Sequence, residues 1–167
     1  MRRLLHGLAA FGLLASPAAQ AQVQCASATD QAAFDVGALK SELTVLAVSC
    51  EADKPYNAFV ERFRPELVAN DGVVNAWFKR TYGKSAQSRY DQYITELINQ
   101  QSQVGLKQGS DFCPRSMAMF NEMGVLPDNK ALVDYAAGKD LVSPAIGSCA
   151  TPAAAPAGKV TAKRRKR

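Results

Sequence analysis

Histidine is all but missing from this sequence: among 167 residues the single one is His6, close to the N-terminus. The segment around it reads as a cleaved leader, so the remaining chain has no imidazole. It then has no side chain titrating near neutral pH as a general base and no histidine ligand for a metal or haem. Ser-His-Asp and Cys-His nucleophilic sites are excluded with it. A glycine-rich phosphate loop and an Asp-rich calcium loop are also missing. No apolar run reaches the roughly 18 residues that a membrane-spanning helix needs. No cofactor and no metal ligand set is expected, and no catalytic residue is assigned.

What remains is carboxylate chemistry, such as two acids flanking a glycosidic bond, or an unusual Ser-Lys pair. Glu61, Glu66, Asp91 and Glu96 stand beside aromatic residues and are the candidate acids. A solvated helix face accounts for all four more simply.

The ends of the chain are distinctive. "MRRLLHG" is a short cationic leader, Leu8 to Ala15 is apolar, and Ala19-Gln20-Ala21 is a small-x-small cleavage site. That is the layout of a secretory signal peptide over residues 1–21. A buried N-terminal helix is the other reading, and two arginines without an acid argue against it. Gln22-Val23-Gln24 before Cys25 lacks the small residue that precedes a lipidated cysteine, so an unanchored periplasmic or secreted protein is expected.

At the other end, residues 151–167 read "TPAAAPAGKVTAKRRKR" and show no apolar periodicity. An Ala/Pro-rich, disordered basic tail is expected. Without Arg2, Arg3 and the tail bases Lys159, Lys163, Arg164, Arg165, Lys166 and Arg167, the 20 Lys+Arg fall to 12 against 15 Asp+Glu. The body is thus about −3 and the tail +6. Those six residues are the candidate contacts to an anionic envelope surface: lipid headgroups, lipopolysaccharide or wall polymer. Each is worth about 1 kcal/mol near such a surface. A nucleic-acid binder carries a basic face on its folded part, so that partner is not expected.

Residues 22–150 read as one all-α domain of four to six helices. Apolar residues recur at three and four, without strand alternation. The first helix is expected from about Asp30 to Ser49, capped by Thr29, with Val36, Leu39, Leu43 and Leu46 on its apolar face. Pro55 opens a second that carries Phe59, Phe63, Leu67, Val74, Trp77 and Phe78. Pro65 and Gly72 should interrupt it and Gly83 should end it. Ser85 to about Lys107 forms the third, with Tyr90, Tyr93, Ile94, Leu97, Ile98 and Val104 along one side and Gly109 as the stop. Two short helices follow. Ser110 or Asp111 caps one, which Gly124 ends; Asp128 caps the other, which Gly138 ends. The aromatic set could line a ligand pocket, but helical spacing favours core packing, with Tyr82 and Tyr90 the most exposed.

Cys25, Cys50, Cys113 and Cys149 are even in number, follow the leader and contain no Cys-x-x-Cys, so two structural disulfides are expected. A helix of about 20 residues is about 30 Å long, whereas bridged Cα atoms lie within about 7 Å. Cys25 and Cys50 stand at its opposite ends and should not pair. Of the two remaining connectivities, a kinked but continuous second helix brings Cys113 back to Cys50, and a hairpin would bring it to Cys25. Apolar phase continues past Gly72, which selects Cys50–Cys113 with Cys25–Cys149. The expected function is a non-enzymatic exported binding or envelope-associated protein, with a carboxylate-dependent cell-wall glycan hydrolase as the alternative.

Overall fold

The computed structural model describes residues 24–149. The leader 1–21 and the tail 151–167, with all six tail bases, lie outside the described residues.

The fold is all-α, built around α1 (Ala28–Ser49). Its cap is Ser27 rather than Thr29. Ser27 Oγ accepts from the Asp30 backbone N–H at 3.3 Å, and the Asp30 carboxylate accepts from the Ser27 N–H at 3.3 Å. This reciprocal pair satisfies two otherwise unpaired donors, which leaves Thr29 inside the first turn. Buried residues lie on several sides of α1, from Phe34 and Val36 to Leu39, Leu43 and Val45. A helix apolar nearly all round belongs in the middle of the structure, and α1 packs against every other long element.

Helix α2 spans Asp53–Tyr82 as one kinked element, with non-helical torsions at Phe63 (φ −104°, ψ 15°), two residues before Pro65. Proline lacks the N–H for the helical ladder and its ring crowds the preceding turn. Gly72 does not interrupt the helix, contrary to expectation, because a glycine costs propensity without removing a hydrogen bond. Gly83 and Gly109 end α2 and α3 (Ala86–Gln108) with φ of 54° and 57°, where a side chain would be strained. The buried stripe of α3 is Tyr93, Leu97, Gln101 and Gly105. Ile98 and Val104, expected inside, are 36% and 48% exposed.

The first expected short helix is divided into α4 (Phe112–Ser116) and α5 (Ala118–Val125), and α6 covers Asn129–Ala137. Asp128 caps α6 by accepting from the Ala131 N–H at 2.8 Å. The strands were not expected: β1 (Gln24–Ala26) and β2 (Ile146–Ser148) pair in parallel, with Cys25 opposite Gly147. Three residues are too few to display an alternating pattern.

Both disulfides join the partners that helix geometry selects. Cys25–Cys149 has its Cα atoms 4.7 Å apart and Cys50–Cys113 5.6 Å. The kinked, continuous α2 sends α3 back along α1, so Cys113 returns to the C-terminus of α1. The core has two centres. One gathers Leu39, Leu43, Leu46, Leu67, Met123 and Leu132 near Cys50–Cys113. The other gathers Phe34, Trp77, Phe78, Tyr93 and Leu97 near the strands. Among the described residues no helix is long and apolar enough to cross a membrane.

Candidate functional site

A cleft of about 160 Å³ opens where α2 and α3 diverge over α1. Its floor is one face of α1, where Gly37, Lys40, Ser41 and Thr44 follow each other at helical spacing. Phe34 and Val74 close one end, and Tyr90, Tyr93, Ile94 and Ile98 supply the α3 wall. A methyl placed on Gly37 would meet nothing within 4 Å, so the floor is open above it.

The hydroxyls of the floor are already committed. Ser41 Oγ donates to Gln101 Oε1 at 2.7 Å, and Gln101 Nε2 donates to the Ala38 carbonyl at 3.0 Å. Thr44 Oγ1 donates to the Lys40 carbonyl at 2.8 Å and lies 3.1 Å from the Tyr56 hydroxyl. Polarity is therefore concentrated at the rim. There Lys40 Nζ meets Asp71 Oδ2 at 2.9 Å, with the side chains 34% and 44% exposed. Tyr90 stands beside this pair. Burial and the Asp71 charge push its phenol above the usual range, and Lys40 partly offsets them. Tyr93 is pushed further up, mainly by burial, with Asp35 and Tyr90 adding to it. Its hydroxyl is buried without a hydrogen-bond partner among the described residues. Both phenols stay neutral at physiological pH.

The acids singled out from sequence do not meet in this cleft. Glu61 is exposed on α2. Glu66 accepts from Asn70, Asp91 from Gln87 and Glu96 from Gln92, each one turn away on its own helix. The carboxylates whose pKa values rise are Asp35 and Glu42. Burial raises Asp35, with Asp140 adding and a hydrogen bond from Gln31 opposing; burial alone raises Glu42. Sequence reasoning missed both, and it missed Gln101. The run Tyr93, Leu97, Gly105 at intervals of four carried a signal for Gln101, because position 101 completes it. No group of three or more His, Cys, Asp or Glu is arranged to hold a metal among the described residues.

The aromatic residues divide largely as expected, with Tyr56 joining Tyr82 and Tyr90 outside the buried set. Phe59, Phe63, Trp77, Phe78 and Tyr93 are buried, while Tyr56, Tyr82 and Tyr90 are half-buried. The cysteines are all paired. The tail bases lie outside the described residues, so the cleft is the site whose geometry is on view. No protein-family model, curated protein or solved structure matches the chain.

Proposed function

We propose that this chain is an exported, non-enzymatic binding protein, in which a disulfide-closed helical frame presents a small apolar cleft with a charged rim. The observation that carries this reading is the cleft itself, with largely apolar walls, committed floor hydroxyls, and polar valences left free at its mouth and at the buried Tyr93 hydroxyl. Ligand sites combine mostly apolar lining with a few placed polar groups in the same way. Among the described residues the only carboxylate lining it is Asp71, already ion-paired. A glycan hydrolase needs two carboxyl groups flanking one bond, so the binding reading is favoured.

Two disulfides and the leader-like N-terminus support export to an oxidising compartment. The tail bases Lys159 and Lys163 to Arg167 supply a loose contact to anionic envelope surfaces. In a Gram-negative host the product should be periplasmic, begin near Gln22 and carry both disulfides by intact mass. A soluble cytosolic product retaining Met1 would overturn export. Deleting residues 159–167 should leave the Tm unchanged and abolish co-sedimentation with anionic vesicles at low salt. Salt should release the full-length protein, because exposed charges are screened over about 8 Å at 0.15 M. Equal sedimentation of both forms would assign binding to the body.

A further inference from the structure

Resting on that binding reading, we infer that the cleft takes a free apolar α-amino acid: its carboxylate on Lys40 and the Tyr90 hydroxyl, its ammonium on Asp71, its side chain against Phe34, Val74, Ile94 and Ile98. Size sets the first limit. An apolar cavity of about 150 Å³ accommodates benzene, so about 160 Å³ is room for one ring or one branched aliphatic group. The open space above Gly37 is where that group reaches the floor.

The free valences set the second limit. Ser41 and Thr44 are spent on Gln101, the Lys40 carbonyl and Tyr56. At the rim, an ammonium has three donors, and Lys40 uses one of them on Asp71. Asp71 meets Lys40 through Oδ2, leaving Oδ1 to accept. The Tyr90 hydroxyl makes no hydrogen bond to another described residue. The rim therefore offers a donor pair and an acceptor side by side, with the opposite charges 2.9 Å apart. A monoanion on Lys40 would face Asp71, and a monocation on Asp71 would face Lys40. A zwitterion carries both charges on adjacent groups and meets each with its opposite, while its apolar part lies against Phe34, Val74, Ile94 and Ile98, whose side chains have no hydrogen bonds to give.

The test is an amide-shift titration of the full mature protein, both disulfides intact, with L-phenylalanine, 3-phenylpropionate and phenethylamine. L-phenylalanine should move the signals of Gly37, Ile94 and Ile98. The two analogues lack one charge each and should bind at least about fivefold more weakly, the effect of losing one partner of a partly exposed charge pair. Lys40→Met and Asp71→Asn should each weaken L-phenylalanine by about the same factor. Gly37→Leu should fill the floor and abolish binding, and its side chain starts in open space, so an unchanged Tm certifies the fold. If either analogue binds as tightly as L-phenylalanine, recognition of a zwitterion is wrong and the binding reading stands. If none of the three moves the cleft signals, this inference is overturned, and benzene, which carries no charge and tests the apolar cleft alone, decides the binding reading.

Discussion

At the end of the bundle that carries β1 and β2, Phe34 meets Trp77, Phe78 and Tyr93 edge-on, with centroids 5.0, 6.0 and 5.4 Å apart. At the Cys50–Cys113 end, leucines and Met123 pack with Phe59, Phe63, Phe112 and Phe120, and the ring pairs are Tyr56–Phe59 and Phe59–Phe63, both tilted rather than edge-on. Polar handles differ as well. The aromatic end is tied by Trp77 Nε1 donating to the Cys25 carbonyl at 3.3 Å, and by Arg80 paired with Asp30 at 2.7 Å. The aliphatic end is tied by Arg62, which donates to the Gly124 carbonyl at 2.6 Å and to that of Leu126. Rings packed edge-to-face have a fixed geometry and cannot flow into gaps, whereas Leu and Met adapt. The cleft opens at the aromatic end, where Phe34, Val74 and Tyr93 belong both to the core and to its lining.

The disulfides give the largest way to break that contrast. Their sequence separations are 124 and 63 residues. Chain entropy alone makes these worth about 5 and about 4 kcal/mol, too close to distinguish the two ends. The difference lies in the native state. Two three-residue strands are not self-supporting, while α4 is also held by Phe112 against the aliphatic core. Cys25→Ala with Cys149→Ala should therefore strip amide-exchange protection from 24–26 and 146–148 and leave helical circular dichroism intact. Cys50→Ala with Cys113→Ala should lower global stability without such a local loss. Protection of the strands in the first variant would mean that burial of Ala26 and Ile146 suffices to hold them.

Core truncation comes next. Phe34→Ala should cost about 4 kcal/mol and Leu43→Ala about 3 kcal/mol in urea titrations. The excess at Phe34 reflects its edge-to-face packing on Trp77, Phe78 and Tyr93, since aromatic pairing adds to area burial on the order of 1 kcal/mol. Equal losses would show that ring geometry adds nothing over apolar burial here.

Much of this architecture was legible, and the limits are physical. Disulfide pairing followed from the length of α1 and the continuity of α2, which depend only on rise per residue and apolar phase. Gly83, Gly109 and Asp128 announced helix ends through chemistry local to each. The Ser27 cap was missed because its partner is Asp30 rather than the usual Glu or Gln. The strands were missed because Cys25–Cys149 and distant pairing, not propensity, hold them. The cleft needs Lys40 beside Asp71, 31 positions on, and Ser41 beside Gln101, 60 positions on. One-dimensional periodicity cannot bring such residues together.

Buried acids sharpen the comparison through pH, with a smaller effect. Glu42 is 8% exposed and accepts no hydrogen bond from a described residue, and burial raises its pKa. The stability its proton contributes is present below the ordinary glutamate range and is lost as pH rises through the folded value. Asp30 behaves oppositely. Burial pushes its carboxyl up, but Ser27 and Arg80 outweigh that and hold it below the usual range. Its contribution is present above the unfolded value and is lost as pH falls through the folded one. Glu42→Gln should raise the neutral-pH Tm and remove the decline above the carboxylate range. Asp30→Asn should lower the neutral-pH Tm and blunt the acid loss. Thermal melts across a pH series read both, and parallel profiles for the two variants would refute the opposite signs.

The smallest expected effect bears most directly on why the aromatic end is left open. Gly37 lies mid-way along α1 with no positive φ, and a Cβ there meets nothing within 4 Å. Neither backbone strain nor a close neighbour calls for glycine. Within a helix, glycine is about 0.5–1 kcal/mol less stable than alanine. Gly37→Ala should therefore stabilise the protein by about that amount while taking one methyl group of space from the cleft floor. Raised Tm together with weaker binding of L-phenylalanine would mean that stability is given up at this position to keep the floor open. Raised Tm with unchanged binding would place the ligand's side chain elsewhere along the Ile94–Ile98 wall. An unchanged or lowered Tm would mean that the helix needs glycine for a reason other than room, and the link between the opening and the sequence would lie in the rings alone.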